Sequence, residues 1–483
     1  MPILIDDYTV SSLNGPERGV FLKNVSKNPA INNNYIVLLG DQHSELGYKT
    51  CEDETCFELQ TDFMYILNEF AKTTRTDFYL EKGHNIERVE KVIVPIQTQY
   101  LNLREDPQNS VIHAKSLKKS GYYPDSNMIE MRSMYQTCFI PQFKERHCKY
   151  KNILWHSADP RLSKDKTPFY YHSNICHDSL GGLLKTGVSY STVDLAVVAD
   201  DIYENTNLGV VDGLMYIKLL VTDSRAFIDA LLQTQLFQKQ YQKMNEQSQK
   251  LCKKSHFVKL LDFYKSWNGR PIKSQYKNII KRLDDMLLYF SSKSVKTRTE
   301  ILLRLNKENT PHIDPLEVNA FIGAITVISG VILDIYFILR INKQDGNGYG
   351  VGVGDEPNRK LVIGYFGTNH VMSLNHFFTN IIKTHKLQED VGKDAEGNRR
   401  LEISRDIDLN TYFEHVIEET SSSKLRSFHK PRSSHKLRSK PWSSHKLRSK
   451  PRSSFNPLSF TFKSYPKSRP TFENNKTRKY PYR

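Results

Sequence analysis

The sequence predicts an α/β protein with a mostly parallel sheet, flanking helices and a large helical insertion. Four short apolar segments have the length and composition of buried strands, and segments with helical spacing of apolar residues separate them. Strands that alternate with helices favour parallel pairing, because each crossover returns the chain to the same end of the sheet. Residues 421–483 are rich in Ser, Pro, Lys and Arg and are predicted to lie outside this folded body.

The predicted strands are short and apolar, and they cover residues 35–39, 78–80, 152–155 and 360–366. Helices are predicted where apolar residues recur every three or four positions, over residues 58–72, 128–146, 315–342 and 375–385. Between the third and fourth strands, residues 193–307 contain few turn signals. We expect them to form a helical insertion within a body that spans residues 1–420.

Charge is distributed unevenly between this body and the segment that follows it. Of the 69 Lys and Arg and 53 Asp and Glu residues, residues 421–483 hold 18 basic residues and one acid, Glu473. The body is therefore nearly neutral, and the net charge of +16 does not classify the whole chain as nucleic-acid-binding. The motif SSHKLRSKP begins at Ser433 and again at Ser443. With almost no aliphatic side chains to bury, this basic tail is expected to be disordered.

The cysteines and the longest apolar run predict a protein that neither carries disulfides nor enters a membrane. The start of the chain lacks the basic and apolar regions of a secretory signal. We therefore interpret the six cysteines as free thiols in a reducing compartment; they are Cys51, Cys56, Cys138, Cys148, Cys176 and Cys252. The apolar run over residues 320–333 is shorter than the ~20 residues of a membrane-spanning helix, so we predict a buried core helix and no membrane insertion.

Ionisable residues follow the predicted strands, and two strands end in the same pattern. Residues 40–43 and 367–370 both read Gly-x-x-His, and Glu81 follows the second strand. Because the carboxyl ends of parallel strands open at one rim, where ligands bind in such sheets, we expect His43, Glu81 and His370 to converge there.

Two kinds of chemistry suit such a set of side chains. His43, Glu81 and His370 could hold a divalent metal ion that activates a bound water. Without a metal ion, Glu81 could instead orient His43 or His370 as a general base on water. In either case Arg161, which follows the third strand, could bind an anionic substrate group or a developing oxyanion.

Other polar residues in the predicted core elements have less specific interpretations. His156 ends the third strand and is expected at the same rim. Asp334 and Arg340 follow the apolar run, and a structural role at the helix edge is favoured over a position at the rim. His376 lies on the last predicted helix, where packing is the favoured role.

The order of these motifs resembles that of the superfamily containing TIKI proteases, TraB pheromone-shutdown proteins, erythromycin esterases and ChaN-like proteins. The resemblance covers about residues 35–161 and 314–385, in motifs only. It implies hydrolysis of a peptide or ester bond, with the His/Glu/His set serving a divalent metal ion as in TIKI-like members. The erythromycin esterases imply a metal-free variant of the same site, and Arg161 carries over less directly.

Two classes of function therefore remain open. The first is a hydrolase with its site at the rim. The second is a non-catalytic binding or virion protein that attaches to nucleic acid or to an acidic surface through residues 421–483. The high content of Asn, Ile, Lys and Tyr and the decapeptide repeat resemble proteins of giant DNA viruses. That resemblance implies an intracellular location, in the host cytoplasm or the virion, rather than secretion.

Overall fold

Six strands form the central sheet of this computed structural model, and the four that the sequence predicts are among them. In order across the sheet they are β10 (His385–Val391), β4 (Arg18–Asn24), β5 (Asn34–Asp41), β9 (Lys360–Gly367), β7 (Thr76–Leu80) and β8 (Leu154–Ser157). The neighbours β5, β9, β7 and β8 are parallel, whereas β4 and β10 are antiparallel strands at one edge. The prediction of an α/β fold with a mostly parallel sheet is confirmed.

The structure describes residues 3–5, 8–26, 34–41, 56–81, 131–132, 134–140, 144–145, 148–160, 184, 191–206, 210–244, 246–266, 271–306, 313–343, 360–392, 400–403 and 407–410. These residues belong to a unit that spans Met1–Ser427. The basic tail predicted for residues 421–483 lies outside the described residues.

Each face of the sheet packs against its own hydrophobic core. Successive residues of a strand point to opposite faces, and β5 shows this directly: Ile36 and Leu38 contact one core, Val37 and Leu39 the other. The four parallel strands are mostly apolar because both of their faces are covered, as is typical of α/β sheets. The result is a three-layer arrangement of helices, sheet and helices.

Helices from the insertion and from the chain after it cover the first face. The described helices of the insertion are α2 (Thr192–Thr206), α3 (Val210–Thr222), α4 (Ser224–Gln233), α5 (Gln235–Tyr241), α6 (Glu246–Leu251), α7 (Lys254–Ser266), α8 (Ile272–Gln275), α9 (Lys277–Ser291) and α10 (Val295–Leu305). They are followed by α11 (Pro315–Ser329), α12 (Val331–Ile341) and α13 (Thr368–His376). On the second face lie α1 (Met64–Phe70), the π-helical turn Leu59–Phe63 that precedes it, and the 3₁₀ segment Gln136–Phe139.

Two small sheets lie outside the central sheet. One joins β12 (Ile407–Asp408), β1 (Ile3–Ile5) and β2 (Tyr8–Val10), and the other joins β11 (Arg400–Glu402), β3 (Ser12–Asn14) and β6 (Cys56–Glu58). The sequence patterns did not predict these strands, which are only two or three residues long.

Two predicted helices differ from the structure. The helix expected over residues 375–385 begins at Thr368 and continues from His376 into a π-helical turn over Phe377–Ile381. Lys383, beyond this turn, has a positive φ of 54°, and β10 starts at His385. The helix expected over residues 128–146 is broken into short pieces. Pro141 lies within that range and lacks the backbone N–H that a helix interior requires.

The apolar run predicted as a core helix is part of a longer helical pair. Residues Pro315–Ile341, which comprise α11 and α12, are together long and apolar enough to cross a membrane by length and composition. However, 78% of the most apolar window is buried inside the protein. Within α12 nearly every side chain, including that of Asp334, is buried. This helical pair therefore has the packing of a core element.

The prediction of free thiols is wrong for three cysteines. Cys138 and Cys148 form a disulfide, and Cys56 is also disulfide-bonded. Their Cα atoms lie 4.8 Å apart, a proximity that their ten-residue separation in sequence does not reveal. Disulfides persist in oxidising compartments, so the cysteines no longer support a reducing one. Cys252 is free and buried.

Differential alkylation should separate these cysteines. In the folded protein Cys252 should not react, because burial raises the pKa of its thiol to about 12 and only the thiolate is nucleophilic. After unfolding without reductant, Cys252 should be alkylated while Cys138 and Cys148 are not; reductant should then expose both. Peptide mapping by mass spectrometry reads out each site. Alkylation of Cys138 in the unfolded, unreduced protein would contradict the disulfide.

A buried histidine makes the stability of this fold depend on pH. His385 Nε2 lies 2.7 Å from the side-chain oxygen of Asn34, and its Nδ1 lies 2.9 Å from the hydroxyl of Thr384. Burial lowers the pKa of His385 to about 3. Between pH 6.5 and pH 3 the unfolded chain therefore binds a proton that the folded protein does not, and stability falls as the pH falls.

Replacing this histidine should reduce the pH dependence of unfolding. Between pH 7 and pH 5, the native protein should lose about 2 kcal/mol more stability than His385→Gln, because each pH unit below the unfolded pKa costs about 1.4 kcal/mol. Urea unfolding at both pH values measures this difference. A matched change at the partly exposed His376, His376→Gln, should leave most of the dependence in place. Equal slopes for the native protein and His385→Gln would contradict the assignment.

Candidate functional site at the carboxyl rim of the sheet

The structure brings two of the four predicted site residues together. Glu81 directly follows β7, and His370 lies in the first turn of α13, which begins where β9 ends. His370 Nε2 and Glu81 Oε1 are 4.0 Å apart, and each side chain is only 10% exposed. His43 and Arg161 lie outside the described residues. The catalytic or metal-binding roles of all four residues stay predictions.

Backbone contacts hold Glu81 in this position. Its N–H donates to the carbonyl of Tyr365 at 3.1 Å and so extends the pairing of β7 with β9 by one residue. Its Oε2 accepts a hydrogen bond from the N–H of Gly367 at 2.9 Å. One carboxylate oxygen is thus fixed by the turn between β9 and α13, and the other faces His370.

A buried carboxylate from α12 holds the opposite side of the imidazole. His370 Nδ1 lies 2.7 Å from Asp334 Oδ1, and Asp334 is completely buried. The hydroxyl of Tyr264 donates to Asp334 Oδ2 at 2.7 Å, and the hydroxyl of Ser373 donates to the same oxygen. Three donors thus satisfy this carboxylate, which would otherwise be costly to bury.

These contacts define which nitrogen of His370 can react. An ionised carboxylate only accepts hydrogen bonds, so Nδ1 carries the proton that Asp334 accepts. In the neutral imidazole, Nε2 then carries the lone pair, and this is the nitrogen that faces Glu81. A histidine held by a carboxylate in this way is oriented either as a general base or as a metal ligand.

Close approach of a helix to the imidazole requires a glycine. Gly330 lies at the junction of α11 and α12, and a Cβ atom there would come within 2.9 Å of His370 Cε1 and of the carbonyl oxygen of Val327. Neither atom can move without disturbing the helix or the bond between His370 and Asp334. Gly330 therefore lets α12 bring Asp334 against His370.

Sequence patterns predicted Glu81 and His370 but not the residues that orient them. For Asp334 a structural role at the helix edge is the favoured prediction, and Tyr264 and Ser373 belong to no motif. The available signal was Asp334 itself, an acidic residue with apolar neighbours on both sides in the segment Pro315–Ile341. Ser373 also follows His370 by three positions, which places both on one face of α13.

His156 belongs to a second polar cluster, which does not lie at the rim. His156 lies opposite Tyr79 in the pairing of β8 with β7, and its Nε2 is 2.6 Å from Asp77 Oδ1. Arg340 approaches His156 Nδ1 at 3.0 Å. Since a guanidinium always donates, Nδ1 accepts, and Nε2–H donates to Asp77. The prediction that His156 belongs to the rim is therefore wrong, because its side chain turns back along the sheet towards Asp77.

Cations surround the Asp77 carboxylate within the core. Burial alone would raise its pKa, but Lys360, His156 and Arg75 hold that pKa well below its usual range. Arg75 Nε lies 3.0 Å from Asp77 Oδ2, and Lys360 Nζ lies 4.0 Å from the same oxygen. Lys360 also donates to the carbonyl of Ile341 at the end of α12. This cluster joins three strands and α12 and has a structural role.

Removing the Asp77 charge should strongly destabilise the protein. Asp77→Asn leaves Lys360 and Arg75 buried or half-buried beside a neutral amide, and breaking a buried pair in this way costs about 3–5 kcal/mol. The surface pair of Arg18 and Asp390 offers a matched control, because Asp390→Asn should cost less than about 1 kcal/mol. Urea unfolding at pH 7 measures both. Similar small losses in the two variants would mean that the cluster does not stabilise the sheet.

No protein-family model matches this chain, and no curated protein or solved structure is significantly similar to it. The resemblance to the superfamily of TIKI proteases and erythromycin esterases therefore has no support beyond the motifs themselves. At the site a carboxylate and an oriented imidazole, both shielded from solvent, face each other where two parallel strands end.

Proposed function

We propose that the protein is a hydrolase and that Glu81 and His370 activate the attacking water. The observation that carries this proposal is the 4.0 Å separation of Glu81 Oε1 and His370 Nε2, two atoms that both accept hydrogen bonds. A water molecule about 2.8 Å from each atom fits that separation and can donate one hydrogen to each. A hydrogen bond on the side away from the water holds each acceptor in place. Gly367 N–H donates to Glu81 Oε2, and His370 Nδ1 donates to Asp334.

The reaction would use this pair as a general base and then as a general acid. As the water oxygen attacks the carbonyl carbon of a peptide or ester bond, its proton passes to His370 Nε2. The resulting imidazolium is stabilised by Asp334, which keeps accepting the hydrogen bond from Nδ1. The proton then passes to the leaving nitrogen or oxygen. Glu81 accepts a hydrogen bond from the water and so holds it in place.

The residues at the rim also suit a divalent metal ion, which the resemblance implies. Glu81 Oε1 and His370 Nε2 would be two of its ligands, and the bond from His370 Nδ1 to Asp334 is the outer contact that ligating histidines usually make. A bound ion would lower the pKa of its water. No group of three potential metal ligands occurs among the described residues, so under this proposal His43 supplies the third.

Arg161 is proposed to bind the anionic part of a substrate or the developing oxyanion. It follows β8 by four residues, and β8 is parallel to β7 and ends at the same rim. This role applies to both the metal-dependent and the metal-free reaction.

Substitutions at the pair should abolish hydrolysis and leave the fold intact. His370→Ala and Glu81→Gln should each lower turnover of a panel of p-nitrophenyl esters and chromogenic peptides at least ~100-fold, the usual size of a general-base contribution. His376→Ala is the matched control, since His376 lies on the same helix and stacks on Phe263 instead. Circular dichroism confirms folding.

Chelation separates the two versions of the mechanism. If the reaction uses a metal ion, EDTA should abolish turnover, and later addition of Zn²⁺ or Mn²⁺ should restore it. If the reaction is metal-free, neither treatment should change turnover. A panel on which His370→Ala and Glu81→Gln retain native turnover, or on which the native protein shows none above background, would count against a hydrolase.

A second function is favoured by the charge of residues 421–483. A segment with 18 basic residues and one acid attracts phosphates without sequence preference, so we propose that it binds nucleic acid or another acidic surface. Such an attachment is independent of chemistry at the rim. A virion protein that attaches to nucleic acid through this segment would need no catalysis.

Neutralising the repeats should reduce the salt dependence of DNA binding. In the intact chain, the logarithm of the association constant for duplex DNA should fall linearly with the logarithm of salt concentration, by about 0.9 per phosphate contact. One variant changes six tail cations to Gln: Lys436, Arg438, Lys440, Lys446, Arg448 and Lys450. The matched control changes six exposed lysines of the helical insertion to Gln: Lys259, Lys273, Lys277, Lys281, Lys293 and Lys296. The tail variant alone should show a smaller slope; equal slopes would exclude the tail as the binding segment.

A further inference from the structure

An open cleft lies on the helical side of the protein, and its wall includes Tyr264, whose hydroxyl bonds Asp334 behind His370. It has a volume of about 410 Å³ and runs between α7, α8 and α11. That volume lies within the ~300–1,000 Å³ range of small-molecule sites. The described residues of its wall are mostly apolar, with a few polar groups at one side, which is the usual composition of such sites.

Small residues of α11 leave this cleft unfilled. Ala320, Gly323, Ala324 and Val327 follow each other at helical spacing and form one wall. A Cβ atom at Gly323 would meet no heavy atom within 4 Å. The open space therefore comes from the side chains that α11 presents, and a larger side chain at Gly323 would occupy it.

The opposite wall carries a cation that no carboxylate neutralises directly. Lys265 Nζ donates to the hydroxyl of Ser224 at 2.9 Å, and that hydroxyl donates to Asp262. Among the described residues no carboxylate oxygen lies within 4.0 Å of this ammonium nitrogen. Burial lowers the pKa of Lys265 to about 8; Asp262 and Asp223 oppose that shift, and Lys273 adds to it. An acidic group in the cleft would stabilise the ammonium form.

We propose that this cleft binds a small organic monoanion, with its apolar body against α11 and its acidic group at the ammonium of Lys265. We expect an anionic ligand to bind more tightly than a neutral one. Lys265 places a positive charge in a wall that is otherwise mostly apolar. The ring of Tyr264 would contact the ligand, and its hydroxyl reaches Asp334. The proposal does not depend on hydrolysis at the rim.

Two fluorescent probes of similar shape test the charge requirement. 8-Anilinonaphthalene-1-sulfonate is an aromatic monoanion, and N-phenyl-1-naphthylamine is its neutral counterpart. The intact chain should bind the anion saturably at one site and at least 10-fold more tightly than the neutral probe. Lys265→Met keeps the apolar stem and should remove that preference. Lys259→Met, an exposed change on the same helix, is the matched control and should retain it.

Filling the cleft tests its position. Gly323→Leu should abolish saturable binding of both probes, and its melting temperature should stay unchanged or rise, because Leu favours a helix more than Gly does. Asn319→Leu, an exposed change on the same helix outside the cleft, should leave binding intact. If Gly323→Leu lowers the melting temperature, Ala324→Leu replaces it in the test.

The outcomes that would overturn the proposal are distinct from failure of the hydrolase. Saturable binding of the sulfonate that survives both Lys265→Met and Gly323→Leu would place the anion elsewhere, for example on the basic tail. Equal affinity of the two probes for the intact chain, or no saturable binding, would also overturn it. None of these measurements depends on turnover.

Discussion

The buried carboxylate of Asp334 is the interaction on which the arrangement of the rim depends. It is completely buried in the apolar helix α12, and its burial is compensated by His370, Ser373 and Tyr264, which direct donors towards it. Those three donors come from two other elements, α13 and α7. One carboxylate thus fixes how α12, α13 and the helical insertion pack, and it also determines which nitrogen of His370 faces Glu81.

The same helix connects the two ends of the sheet. Asp334 lies near its start, against the rim, whereas Arg340 lies near its end, next to His156 and the Asp77 cluster. Charged groups at both ends are thus satisfied by specific partners, and apolar packing between them fills the first face. A sheet held this way can support two buried carboxylates without leaving either unpaired.

Patterns in the sequence were sufficient to predict the parallel strands and the positions of Glu81 and His370 at the strand ends. Apolar runs and the residues that follow them are local signals. The antiparallel strands β4 and β10 were not predicted; β10, at the edge, is mostly polar in sequence and resembles a loop. The contact by which Asp334 orients His370 was not predicted. The two residues lie 36 positions apart in sequence, and no local spacing reveals that they meet. The disulfide was missed for the same reason: pairing of Cys138 with Cys148 depends on a proximity that periodicity does not predict.

The central claim is that Asp334 holds His370 with the proton on Nδ1 and the lone pair on Nε2, towards Glu81. Imidazole ¹⁵N chemical shifts of histidine-labelled full-length protein, with the His370 signal assigned by its loss in His370→Ala, report this tautomer directly. The account predicts a protonated Nδ1 and an unprotonated Nε2 at neutral pH, with that preference lost in Asp334→Ala. A protonated Nε2 with an unprotonated Nδ1, or a tautomer unaffected by Asp334→Ala, would contradict it.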